Sequence, residues 1–385
     1  MLATNLMRLI RLLSPLFATD YKRGKQFGEP VWEDIIMQKA IVAFVIIFAG
    51  VFLLREQISV RLFARILENR MDPSATRQLE DGLHVALCGA GSPLPDPERS
   101  PPCTLVIAGN QTFLFDAGTT AAAQIAQMGF NIGDLDAVFL THFHSDHLGG
   151  LGEVMLQRWI GGSNKSPLPI YGPEGVSAVV DGFNMAYRLD ADYRTAHHGE
   201  VVAPQSGAGG VASKFAVPTE GLQPIVNTGG VEISAFSVSH NPVSPAVGFL
   251  VKYKDRSLVI SGDTAQSNNL LNVSQGIDLL LHEGLSKRLV KVAEQSARNV
   301  GRENLAKIFF DIRDYHTDPE DVARIAQEAG VGYLAFTHIV PMLPLPGMEK
   351  AFLGAAPDIY GGPIRVGRDG DIISMPAGSD VITLD

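Results

Sequence analysis

Thr141 to Gly150 reads THFHSDHLGG and directly follows the apolar run Ala137-Val138-Phe139-Leu140. A short uncharged run of this kind is a buried strand, and the Gly149-Gly150 pair lets the chain turn sharply after it. His142, His144, Asp146 and His147 are therefore expected to cluster at one strand's C-terminal edge. Neutral imidazole and carboxylate oxygen are ligands that Zn²⁺ accepts at roughly 2.0 to 2.2 Å, and a site without thiolate keeps an open, water-bearing position. Solvated surface histidines are the bland alternative, but this spacing favours a metal site.

Three further ligand types also end strand-like segments. His240 follows the alternating run Val231 to Ser239, Asp263 follows Leu258-Val259-Ile260, and His338 follows Tyr333-Leu334-Ala335. One histidine after a strand is usually structural. Repetition after several strands is what a site assembled at a sheet edge requires.

The ordered set Gly89-Ala90-Gly91-Ser92-Pro93, Phe115-Asp116-Ala117-Gly118, THFHSDHLGG, Tyr171-Gly172-Pro173, His240, Ser261-Gly262-Asp263-Thr264, Leu281-His282-Glu283, Tyr315-His316-Thr317 and Phe336-Thr337-His338 resembles the metallo-β-lactamase superfamily, and within it the ribonuclease Z-like and arylsulfatase-like branch. The resemblance covers about Leu83 to Ile364. It implies an α/β (α+β) four-layer αββα sandwich of two mixed sheets with helices outside. It also implies two Zn²⁺, one on His142, His144 and His240 and one on Asp146, His147 and His338, with Asp263 between them. Mn²⁺ or Fe²⁺ tolerates the same ligands. Paired ions activate water and hold both oxygens of an ester displacement without a protein base. His316 matches the branch's proton donor and Glu283 the carboxylate that orients it, with Asp146 a catalytic carboxylate as well as a ligand. For His316 the alternative is a surface residue before the helix start at Asp318-Pro319-Glu320. Asp116 is expected to orient a ligand imidazole, with turn capping as its alternative.

The chain has 385 residues and two cysteines, Cys88 and Cys103, which flank a Gly- and Pro-rich loop. Free structural thiols are the default expectation, with a loop-stapling disulfide open if the domain is exported. Residues 1–75 are expected to form an anchor region and 76–385 the hydrolase. Ala40 to Leu54 reads AIVAFVIIFAGVFLL, uncharged between Lys39 and Arg55. The run alone is below the usual ~20 residues, but snorkelling of Lys39 and Arg55 and the upstream apolar residues extend it to a span over about 36–54. A buried soluble helix remains the alternative, and a cleaved signal peptide fits less well. Leu6 to Phe17 and Val60 to Leu67 are expected as flanking amphipathic helices, the latter ahead of a linker at Met71-Asp72-Pro73-Ser74. The localisation expected is membrane, single-pass, and the cations flanking the span leave its orientation open.

Residues 71–385 carry 21 Lys and Arg against 35 Asp and Glu, a poor surface for neutralising phosphates. Transfer-RNA-processing members of the branch carry a basic arm before the third histidine, whereas residues 201–230 hold the single cation Lys214. The expected function is hydrolysis of phosphate or sulfate esters, phosphodiesterase or arylsulfatase-like, with Arg99 and Trp159 as substrate contacts. Alternatives are a tRNA 3′-processing endoribonuclease, a lactonase or weak β-lactamase, and a non-catalytic membrane-tethered binding module. A small-molecule ester and the membrane are the expected partners, a homodimer is open, and nucleic acid is disfavoured. His84 and His282 are read as structural, and His197-His198 as an exposed helix end.

Overall fold

A computed structural model describes residues 31–71 and 79–385, and the chain divides into two compact units between Met71 and Asp72. The first unit contains one unbroken helix, Val31–Met71. Within it Lys39–Glu68 is long and apolar enough to cross a membrane, its 30 residues spanning about 45 Å against a hydrocarbon core of about 30 Å. Phe44, Ile46, Ile47, Phe48 and Phe52 on it are all more than half exposed. Val60 to Leu67 continues this helix to Met71 instead of forming a separate amphipathic one. The helix expected at Leu6 to Phe17 lies outside the described residues.

Among the described residues of the second unit, eight strands form one sheet in the spatial order β15 (Thr383–Leu384), β14 (Ile372–Pro376), β1 (Gly82–Gly89), β2 (Cys103–Ala108), β3 (Gln111–Phe115), β4 (Ala137–Phe139), β5 (Leu168–Gly172) and β6 (Gly210–Lys214). Seven form the other, in the order β13 (Ile364–Val366), β12 (Tyr333–Val340), β11 (Leu279–Leu285), β10 (Arg256–Ile260), β9 (Val247–Tyr253), β8 (Val231–Ser237) and β7 (Gln223–Thr228). Period-two alternation assigns each side chain to a layer. Leu83, Val85 and Leu87 of β1 enter the core between the sheets, while Ala86 and Cys88 face the core under the helices Ala121–Gln127 and Leu151–Gly162. In β11 Leu279 and Leu281 point between the sheets, and Leu280 packs with Val322 and Ala326 of the helix Pro319–Ala329. Strands buried on both faces read as near-continuous apolar runs, and the all-buried β1 and β11 show no exposed face, their His84, His282 and Glu283 being buried as well. The result is the αββα sandwich.

Parallel pairing places strand ends at one edge. β3, β4 and β5 run parallel in one sheet, as do β10, β11, β12 and β13 in the other. Cys88 and Cys103, at the ends of β1 and β2, form a disulfide across the pair instead of remaining free thiols. It closes the loop that carries Ser92, Pro93 and Leu94 to the same edge.

Candidate metal centre

Seven ligand-type residues converge where those strands end. The ligand atoms of His142, His144, His240 and Asp263 lie within 4.8 Å of one another, as do those of Asp146, His147 and His338. Asp263 Oδ2 joins the two groups, standing 3.8 Å from the Nε2 atoms of His142 and His240, 3.4 Å from that of His147 and 3.3 Å from that of His338. β4 delivers His142 to His147, β8 leads to His240, and β10 to Asp263. His338 lies within β12, where the register with β11 shifts between Glu283 and Gly284, and its φ is +44°. A bulge of this kind re-aims one side chain, and left-handed backbone at a non-glycine residue costs about 1–3 kcal/mol.

Outer groups fix the imidazoles. His147 Nδ1 donates to Asp116 Oδ2 at 2.8 Å, and His240 Nδ1 donates to the Tyr315 carbonyl at 3.0 Å. Asp116, itself at φ +57°, also accepts from the Thr141 amide at 2.9 Å and hydroxyl at 2.8 Å. Each engaged nitrogen leaves the other ring nitrogen for an ion. The buried His147 Nε2, His240 Nε2 and Asp263 Oδ1 have no hydrogen-bond partner, an expensive state for polar atoms that an ion would relieve. The residues fit divalent metal.

The electrostatics match a site prepared for positive charge. Burial pushes the His240 imidazole down to about 4 and drops His142 well below its ordinary value. Burial would raise Asp263, but the imidazoles of His338 and His147 hold its carboxyl well below the usual range. Against the opposing effect of burial, Asp263 and Asp116 raise His147 well above the ordinary value, and Asp263 and Asp146 raise His338 to about 8. An ion binding at this edge must displace any proton that its imidazole ligands carry, so affinity falls as pH falls.

Beside this centre, His316 Nδ1 lies 3.3 Å from Glu283 Oε2, while Glu283 Oε1 accepts from the Thr317 amide at 2.7 Å. His316 is buried, which excludes the surface alternative.

The profile of the metallo-β-lactamase superfamily matches residues 96–310. The chain belongs to this superfamily. Ribonuclease Z of Mycolicibacterium paratuberculosis is 37% identical over 289 residues, covering 74% of this chain and 96% of that protein. Ribonuclease Z of Mycobacterium bovis is 36% identical over 290 residues, with the same coverage. In fold the chain is similar to the short form of human tRNase Z, with a TM-score of 0.55 at 20% identity over 76% of this chain and 99% of that one. It is likewise similar to the metallo-β-lactamase-fold protein YhfI of Bacillus subtilis, with a TM-score of 0.54 at 20% identity over 77% and 100%.

As a metallo-hydrolase of this superfamily the chain has a pocket of about 280 Å³ at the centre, whose polar lining includes His144, Asp146, Asp263, His316 and His338 with the hydroxyls of Ser92, Ser145 and Tyr315. Leu94, Ile308, Phe309, Ile312 and Val340 supply an apolar part that sequence reasoning missed, because apolar positions in the helix Glu303–Asp311 look like core positions. Two expected substrate contacts are corrected. The Arg99 guanidinium is buried, donating to the Glu349 carboxylate at 2.8 Å and the Gly367 carbonyl at 2.9 Å. It secures the loop and does not reach the pocket. Trp159 is fully buried, and its indole N–H donates to the Pro204 carbonyl at 2.7 Å. His197 and His198 end the helix Val176–His198, exposed as expected.

Asp116→Asn keeps the side chain's shape and removes its charge. Metal affinity or activity is expected to fall about 10- to 100-fold, as at other outer-shell partners. Competition with a chromophoric chelator measures the affinity. Unchanged affinity and activity would leave Asp116 as a turn-capping residue.

Proposed function

We propose that the chain is a two-metal phosphodiesterase, anchored by residues 1–75 with residues 76–385 as its catalytic domain. The observation that carries the chemistry is the buried His316–Glu283 pair beside Asp263, at the pocket that receives the ligand edge. In this reading His142, His144, His240, Asp146, His147, His338 and Asp263 hold the ions. When bound, these supply an activated water and neutralise charge that develops on the phosphoryl oxygens. Glu283, whose Oε2 stands 3.3 Å from His316 Nδ1, short of a hydrogen bond, flanks the ring of His316, which gives its proton to the departing oxygen. Phosphate is favoured over sulfate because the relatives are ribonucleases, which cleave phosphodiesters. Metal-replete protein should therefore hydrolyse bis(4-nitrophenyl) phosphate well and 4-nitrophenyl sulfate poorly; the reverse order refutes the proposal.

Cleavage of a pre-tRNA 3′ trailer is the second reading, favoured by ribonuclease Z relatives matched over 96% of their length. Against it, no Lys or Arg lines the pocket among the described residues, and the acidic surface is unsuited to neutralising several phosphates. The buried disulfide adds a second objection, since such bonds persist in oxidising compartments. A catalytic domain outside the cytoplasm does not meet pre-tRNA. The full chain should stay with membranes through an alkaline carbonate wash, whereas a truncated chain beginning at Met71 should be soluble and active. Cys88 and Cys103 should label with maleimide only after denaturation and reduction. Release by carbonate would remove the anchor, and labelling of the denatured, unreduced chain would remove the objection drawn from compartment.

A further inference from the structure

The pocket's apolar part, four aliphatic side chains and Phe309, has no task in the chemistry above. Phe309 and Val340 belong to a buried cluster, with Leu94 and Ile312 packed against it. Ile308 lines the pocket, belongs to no such cluster among the described residues, and is 52% exposed. Exposing an isoleucine at the mouth of a site forfeits burial that a bound apolar group would restore. The pocket's hydroxyls, on Ser92, Ser145 and Tyr315, and its ligand-type residues belong to its polar lining. Leu94, Ile308 and Ile312 offer no side-chain donor or acceptor, so the polar edges of a nucleobase seated against these three would lose hydrogen bonds to water that the three cannot replace. Its volume, about 280 Å³, lies just below the usual range of small-molecule sites, which begins at about 300 Å³. That suits a phosphoryl group with one short or slender arm.

We infer that the substrate is a phosphodiester carrying an aliphatic arm, which rests on Ile308, Ile312 and Leu94 while the phosphoryl group meets the ligand edge. The inference rests on the phosphodiesterase reading. In the reaction the oxygen of water bonds to phosphorus and the bond from phosphorus to the departing oxygen breaks. That oxygen takes the proton of His316, which is replaced by one from the attacking water. The products are a phosphomonoester and an alcohol, with no change of oxidation state.

The test uses the full metal-replete chain in nanodiscs and symmetric dialkyl phosphates from methyl to butyl, so that the arm on either side of phosphorus lengthens together. Phosphomonoester release is followed by mass spectrometry. Each buried methylene is expected to raise kcat/KM roughly three- to fourfold, or about thirty- to sixtyfold over the series. Ile308→Ser, at a half-exposed position that folding does not need, should flatten the rise, and Ile312→Ser should do so independently. Vesicles of a phosphatidylalcohol distinguish a membrane lipid from a free ester as the source of the arm; cleavage of either with the same sensitivity to Ile308→Ser upholds the aliphatic class. A wild-type series that is cleaved but flat or falling overturns the inference and leaves the phosphodiesterase reading standing, as does a rise that survives both substitutions. Failure to cleave any member, together with bis(4-nitrophenyl) phosphate, withdraws both.

Discussion

Asp263→Ala is expected to reduce metal content from about two ions per chain to less than one, and to cost more activity than the 10- to 100-fold loss at an outer-shell partner. The reason is position. One carboxylate oxygen lies 3.3–3.8 Å from four imidazoles drawn from both ligand groups, so its removal weakens both sets at once. Replacing His144, which belongs to one group, should spare the other. Mass spectrometric metal analysis after reconstitution measures both variants, with circular dichroism as the control for folding. Full wild-type activity at one ion per chain would sink the dinuclear assignment.

His316→Ala is expected to keep both ions and lose about 10²- to 10⁴-fold in kcat, the usual worth of positioned acid catalysis. The loss should be greatest for phosphodiesters with poorly acidic leaving groups and small for nitrophenyl esters, which depart without help. Glu283→Ala should follow the same dependence more weakly. A competing arrangement exists, because ligand atoms of His316 also come within 4.8 Å of those of Asp263 and His338. If His316 were a ligand, His316→Ala would lose an ion and all leaving groups would suffer alike. Metal content and leaving-group dependence together separate the roles.

Contiguous features of the site were legible in the sequence, and those that depend on distant partners were not. THFHSDHLGG carries four ligand candidates on one strand end, whereas His240, Asp263 and His338 gained their meaning only as a set. Arg99 reads as an anion-binding cation on a loop, yet Glu349 and Gly367, some 250 residues away, occupy its guanidinium. The Cys88–Cys103 bond depends on β1 pairing with β2, where Gly89 stands opposite Cys103. The positive φ of Asp116 and His338 has only a weak signature in residue type, since Asp and His visit left-handed backbone more often than other non-glycine residues but far less than glycine. The fold was legible through the resemblance that the ordered motifs carry, and strands buried on both faces add the apolar runs that a layered architecture covers.

The ligand edge straddles a seam. His142 to His147 hang from the eight-stranded sheet, while His240, Asp263 and His338 hang from the seven-stranded one, so any ion held by both sets acts as a rivet between the halves of the sandwich. A ligand present at a hundred times its dissociation constant adds about 2.7 kcal/mol to the native state, a sizeable share of a typical domain's 5–15 kcal/mol. Metal supply then governs more than turnover. A cell short of the ion would hold fewer copies of this enzyme, because the unriveted form opens more often to proteolysis.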